Sequence, residues 1–169
     1  MPPPEIRNET PSEVEAIDAV TRDAFAGHPY SHQTEHFIVR ALRRADALSI
    51  SLVAVVDGSV VGHVAISPVW VDGESVGWFG LGPLSVAPAC QRQGIGSALV
   101  RAALVRLRAS GAAGCVLLGD PGYYARFGFV QSSALRLPGV PPEHFMCLPW
   151  RMPVPTGEVA YHDAFNAVA

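Results

Sequence analysis

Residues 49–67, SISLVAVVDGSVVGHVAIS, leave this chain little freedom. Two runs rich in valine and isoleucine flank Asp57-Gly58, a dipeptide suited to a two-residue turn with positive φ at both positions. The runs are expected to fold back on each other as antiparallel strands. VDGES repeats the device at Asp72-Gly73, so a third strand is expected from about Val76 to Val86, completing a meander. Gly80, Gly82 and Pro83 interrupt that strand. Proline within a strand implies a bulge or an unpaired stretch, and the sheet is expected to open there.

Helical periods flank the meander. After a short strand near Ile6, PSEVEAIDAVTRDAFAG reads as a helix capped by Ser12, with Glu15 completing a capping box and Gly27 as the stop. Val14, Ile17 and Phe25 supply its partial apolar face. A second helix is expected from Thr34 to Ala45, with Phe37, Ala41 and Leu42 inward and arginines near its C-terminal end, where the helix dipole favours them. The helix after APACQRQ runs to about Ser110 and is apolar nearly all round (Leu99, Ala102, Ala103, Leu104, Leu107), which predicts a largely buried element. GCVLLG reads as a central strand. PGYYARFGFV gives one or two helical turns, started by Pro121 and ended by Gly128, and leads into another strand. A last strand is expected near Phe145–Trp150. The sum is an α/β domain with a mixed sheet, one domain over residues 1–169.

The third long helix opens unusually. QRQGIGSALVRAAL starts at Gln91 and places Gly94 and Gly96 in the helix mouth, although glycine costs about 1 kcal/mol relative to alanine inside a helix. A helix N-terminus presents unpaired N–H groups and partial positive charge, which suits an anion. Glycine removes the Cβ that would hold a phosphate away. Close packing of helix on sheet explains two glycines equally well, and the spacing leaves both readings open. Neither GxGxxG nor GxxxxGK[ST] is present, so the common nucleotide fingerprints are absent.

What is present is Gln91-x-x-Gly94-x-Gly96 after PLSVAP, with YYARFGF downstream. The first resembles motif A of the GNAT superfamily of acetyl-CoA-dependent N-acetyltransferases, and the second is similar to that superfamily's Y-x-x-x-G-F signature. GLGPLSVAP and GDPGYYARFGFV look like a branch of predicted N-acetyltransferases. The resemblance covers most of the chain. It implies a GNAT fold, a mixed and mostly antiparallel central sheet splayed at the motif A strand and flanked by helices. It also implies acetyl-CoA as co-substrate, with direct attack by a primary amine in a ternary complex. Backbone amides of Gln91, Arg92, Gln93, Gly94, Ile95 and Gly96 would hold the pyrophosphate, and backbone groups of Leu84, Ser85 and Val86 the pantetheine arm. Arg92 or Arg126 is a candidate for the 3′-phosphate, against a plain solvated role. Tyr124 matches the family tyrosine that protonates the leaving thiolate, whereas Tyr123 is read as packing. Where many members carry an asparagine, this chain has Asp120, read as a cap for the turn at Pro121.

The base for the amine is less legible. Many relatives place a glutamate on the splayed strand, yet no acidic residue lies between Val76 and Gln91, and Asp72 and Glu74 sit in the preceding turn. His63 alternates with Ala65 and Ser67 onto one face of its strand. It is either a base or a packed sheet histidine, and water-mediated deprotonation is the expectation.

Two other readings compete. His32-Gln33-Thr34-Glu35-His36 matches HxxEH, the inverted zinc-peptidase motif, but no third ligand can be nominated and no metal is expected. The other is an acyl-CoA-binding module without turnover. Cys90, Cys115 and Cys147 form no CxxC pair and read as buried or loop residues. The net charge of -3 gives no footprint for nucleic acid or an anionic membrane. No apolar run matches a membrane span, and MPPPEIRNET lacks the basic and apolar stretches of a signal peptide, so a cytoplasmic protein is expected. The expected partners are acetyl-CoA and an amine acceptor, with a homodimer as a candidate assembly.

Overall fold

The computed structural model describes residues 2–169. In chain order the elements are β1 (Glu5–Asn8), α1 (Val14–Phe25), α2 (Glu35–Arg44), β2 (Ile50–Val56), β3 (Ser59–Val71), β4 (Glu74–Val86), α3 (Ile95–Ala109), β5 (Gly114–Leu118), α4 (Pro121–Tyr124), β6 (Leu135–Arg136), β7 (Phe145–Pro149) and β8 (Gly157–Tyr161). One path of strands runs β1-β2-β3-β4-β5-β7, and β8 joins the outer half of β3 and carries β6. Every pairing is antiparallel except β4–β5 and β6–β8. The fold is the mixed, mostly antiparallel α/β arrangement expected.

Both aspartate-glycine turns form as read. Asp57 and Gly58 take φ of 50° and 76°, and Asp72 and Gly73 take 49° and 80°, the two-residue geometry that matches strand twist. The opening in the sheet is also in place. β4 pairs with β5 only from Trp78 to Gly80. The register of β4 on β3 then slips, from Leu81 opposite Ile66 to Leu84 opposite Val64. Gly82 and Pro83 are the residues left over, and Pro83 has no N–H to give a ladder. Beyond them β4 stays with β3 through Val86, while β5 stays with β7 through Leu118.

Several local expectations need correction. The box at the first helix is made by Thr10 and Glu13, not Ser12 and Glu15. The Thr10 N–H donates to Glu13 Oε1 at 2.8 Å, and the Glu13 N–H to Thr10 O at 3.0 Å. Pro11 opens the first turn, so the cap falls on the residue before it. On α2 the buried side chains are His36, Ile38, Val39 and Leu42, while Phe37 is only half-buried beneath Arg40. α3 is buried on one side alone (Ile95, Leu99, Val100, Ala103, Leu104, Leu107), and Val105 on the other is 70% exposed. The strand expected after Gly128 shrinks to a single bridge between Val130 and Cys147. β6 and β8 were not anticipated at all.

α3 lies against the face of the sheet that carries Leu52, Val64 and Ile66. The close approach depends on Gly62. A Cβ there would stand 2.9 Å from Leu99 Cδ1 and 3.1 Å from Ser85 O. Trp78, fully buried, makes a similar demand where β4 meets β5: a Cβ on Gly114 would fall 2.5 Å from its ring. Overpacking of a rigid core costs about 1–3 kcal/mol. Gly114→Ala should therefore lower unfolding stability by about that amount in urea titration. An unchanged midpoint would show that the Trp78 ring is free to shift.

Candidate active site

The mouth of α3 is built by the segment leaving β4. A single turn at Pro88–Cys90 redirects the chain, and the Gln91 side chain donates from Nε2 to Val86 O at 3.0 Å. Arg92 and Gly94 then take positive φ, 63° and 85°, to enter the helix. Among the described residues, no backbone N–H from Gln91 to Ser97 donates to a protein acceptor. All of them stand at the positive end of a 15-residue helix.

The packing explanation for the two glycines does not hold. A Cβ at Gly94 would meet nothing within 4 Å, and at Gly96 its nearest neighbours would be Tyr123 Oη at 3.5 Å and Val86 Cγ2 at 3.7 Å. Those are ordinary contacts. Gly94 is required by its backbone angle, and Gly96 leaves the amides beside it uncovered.

These amides open into a groove of about 570 Å³. Leu84 and Val86 form one wall, Tyr123 and Arg126 another, and Phe25 and His28 approach from the end of α1. Among the described residues no carboxylate lines it. In a chain of net charge -3, the titratable lining groups besides Tyr123 and Cys90 are Arg92, Arg126 and His28. Of the expected cofactor residues, Leu84, Val86, Gln91, Arg92, Gly94, Ile95 and Gly96 line the groove; Gln93 and Ser85 do not. The Ser85 side chain is buried, paired across the strand with His63 on the opposite face of the sheet. Ser97, Tyr123, Cys90, Phe25 and His28 were not among the expected site residues. Ser97 lies one residue past the motif, whereas Gly27 marks where α1 stops but nothing local in the sequence assigns that end to a groove.

Asp120 is a cap, as read: its Oδ1 accepts the Gly122 N–H at 3.1 Å. The turn it starts carries two tyrosines with different surroundings. Tyr124 lies against Gly119, where any Cβ would collide with its ring, and it contacts Phe129 edge-on at 6.2 Å. Burial above all, with Tyr123 and Asp120 nearby, pushes its pKa up to about 12, so the phenol keeps its proton at neutral pH; unlike Tyr123, it does not line the groove. Tyr123, expected to be mere packing, lines the groove and shares a hydrogen bond of 2.8 Å with Ser97 Oγ.

His63 is sealed away from the groove. It is fully buried, its Nε2 lies 2.7 Å from Ser51 Oγ, and Ser51 in turn donates to Glu9. Burial chiefly, with Arg43 nearby, lowers its pKa to about 4 against the opposing pull of Glu9. It is the packed histidine of the two readings. Asp72 accepts the Glu158 N–H at 2.9 Å, in the turn at the opposite end of β4 from Val86. The HxxEH pattern does not form a helical pair, because α2 begins only at Glu35, beyond His32. Among the described residues no group of three or more His, Cys, Asp or Glu stands together as ligands. Cys115 and Cys147 are buried free thiols and Cys90 a loop residue.

Comparison with known proteins converges on one family. The model of the acetyltransferase (GNAT) family matches residues 17–129. The uncharacterized N-acetyltransferase YhbS of Escherichia coli K12 is 38% identical over 169 residues, covering 95% of this chain and 98% of that protein. A GNAT family acetyltransferase from Brucella melitensis, solved in complex with acetyl-CoA, superposes with a TM-score of 0.87 at 50% identity, over 96% of this chain and 97% of that one. YhbS of Escherichia coli, solved in complex with CoA, gives 0.88 at 36% identity, over 99% and 94%.

The buried histidine makes stability pH-dependent. An unfolded imidazole takes up a proton near pH 6.5, whereas the folded one holds out to about 4. Between those values the unfolded state binds the extra proton, so stability is full above the window and falls as pH drops through it. The loss is on the order of 3 kcal/mol at most. Urea titrations at pH 7 and pH 4.5 should show His63→Gln losing less stability than wild type on acidification. Equal losses would remove His63 as the source.

Proposed function

The chain belongs to the GNAT acetyltransferase family, and we propose that it moves the acetyl group of acetyl-CoA to a primary amine. The observation that carries this reading is the row of unpaired amides from Gln91 to Ser97, opening into a groove with two arginines and no carboxylate. The groove suits a ligand that is long, partly apolar and strongly anionic. Acetyl-CoA supplies an activated thioester that an amine can attack.

The residues divide the work by chemistry. Amides of Gln91 to Gly96 hold the pyrophosphate through charge-assisted hydrogen bonds and the helix dipole. The edge of β4 from Leu84 to Val86, which has no partner on the β5 side, pairs with the amides of the pantetheine arm as an added strand would. Arg92 and Arg126 are the cations available for the 3′-phosphate. In the transfer the neutral amine forms the new N–C bond as the C–S bond breaks; Tyr124 gives its proton to the departing sulfur and regains one, through water, from the nitrogen of the new amide. The attacking amine must first lose its own proton, since an α-amino group titrates near 8 and a lysine near 10. With His63 sealed in the sheet and no carboxylate at the groove, water carries that proton off. We place the reaction in the cytoplasm; no helix among the described residues is long and apolar enough to cross a membrane. Residues 1–169 act in this as one domain.

A second reading, acyl-CoA binding without turnover, draws on the same missing carboxylate. Thiol release from acetyl-CoA over a panel of amines separates the two, since any turnover excludes it. Binding has its own check in thermal melts. CoA should raise the wild-type Tm, and Gly96→Asp, which puts a negative side chain into the cradle, should abolish the rise. Because a Cβ at Gly96 meets only ordinary contacts, the unliganded variant should melt near the wild type. A wild-type shift in Gly96→Asp would place the coenzyme elsewhere.

Loss of a general acid costs on the order of a hundredfold or more. Tyr124→Phe should accordingly lower kcat by about that factor, with the KM for acetyl-CoA barely moved. An unchanged kcat would take Tyr124 out of the mechanism. In the same assay, a fall beyond about a hundredfold in His63→Ala, with the alkaline-rising limb of the pH profile abolished, would restore a dedicated base.

A further inference from the structure

We infer that Tyr123 is a positioning residue that holds Arg126 ready for the ribose 3′-phosphate of CoA, an inference that rests on the coenzyme reading above. Three contacts link the first turn of α3 to the guanidinium. Tyr123 Oη and Ser97 Oγ are 2.8 Å apart. Arg126 Nε donates to Tyr123 O at 2.8 Å. The Arg126 guanidinium carbon stands 4.4 Å from the centre of the Tyr123 ring, a cation–π distance. Its two terminal nitrogens make no hydrogen bond or ion pair among the described residues, and the side chain lines the groove.

CoA carries two separate anionic groups. The pyrophosphate fits the amides of α3. With the pyrophosphate on those amides, the ribose phosphate would be left to the cationic side chains that line the groove. Arg92, the other arginine there, sits on a left-handed backbone position (φ 63°). Both arginines are exposed, but Arg92 makes no hydrogen bond or ion pair among the described residues. A free arginine must give up much rotamer freedom to bind, whereas one already held against a ring gives up less. The Tyr123 ring and its anchor on Ser97 therefore supply the difference between the two arginines. With Nε committed to the Tyr123 carbonyl, the fork of Nη1 and Nη2 is left for a phosphate.

The test compares CoA with 3′-dephospho-CoA by calorimetry. Wild type should prefer CoA. Arg126→Ala should cut that preference by roughly tenfold, the scale of one charge-assisted hydrogen-bond pair. Tyr123→Leu should cut it similarly although the arginine is intact, and the double variant should fall no further than Arg126→Ala alone. Tyr123→Phe, which keeps the ring and loses only the Ser97 anchor, should give an intermediate loss and carries the test if the leucine variant does not fold. A tyrosine that merely packs would shift both ligands equally, so an unchanged preference in the Tyr123 variants overturns the inference. So does an unchanged preference in Arg126→Ala. Wild type that binds neither ligand overturns the coenzyme reading and this inference together.

Discussion

A strand can serve two neighbours only while its register holds on both sides, and β4 gives this up after Gly80. Its first half is hydrogen-bonded on both sides, to β3 and to β5. At Gly82–Pro83 an extra stretch is absorbed, the register on β3 slips, and the ladder to β5 is gone. Bulges bend a strand and increase its twist. Here the consequence is an unpaired edge inside the sheet, at the point where α3 begins. The groove owes its place to that edge. Had β5 followed β4 to Val86, the N-terminus of α3 would face a closed ladder with no room for a ligand.

Glycines serve opposite purposes around this opening. Gly62, Gly114 and Gly119 are small because a neighbour needs their space: Leu99, Trp78 and Tyr124 respectively. They let helix, sheet and tyrosine turn close on one another. Gly94 and Gly96 have no such neighbour. A methyl group could be added at Gly96 with only ordinary contacts, and alanine would favour the helix by about 1 kcal/mol. The chain forgoes that stability at the helix end whose amides open into the groove. Close packing and open space are thus both achieved with glycine, and only the surroundings tell them apart.

That distinction also marks where the sequence stops being legible. Asp57-Gly58 and Asp72-Gly73 announce their turns because positive φ at two consecutive positions is a local requirement. The interruption in β4 could be read for the same reason, since Pro83 lacks an N–H wherever it sits. The first cap was misread because Ser12 and Thr10 are both acceptable residues, and it is Pro11 that decides between them. β8 went unseen because its partners are far off in the chain, on the outer half of β3. At the site, the motif residues were found and the walls were not. His28 and Phe25 reach the groove only because α1 folds across the sheet, and adjacent tyrosines at 123 and 124 differ through tertiary contacts alone.

His63 shows the limit most sharply. Strand alternation puts it on a common face with Ala65 and Ser67, and each of the three is fully buried. What alternation does not reveal is which face a ligand uses. Leu84 and Val86 point into the groove, whereas Ser85 between them points to the His63 side. The two faces of β4 therefore have different chemistry within three residues. One is apolar and borders the groove; the other is polar and closed, with Ser51 and Glu9 bonded beneath His63. Only the backbone of β4 belongs to both. A ligand lying along the open edge is met by main-chain groups, which any sequence supplies. The side chains at the same positions remain free to build the core.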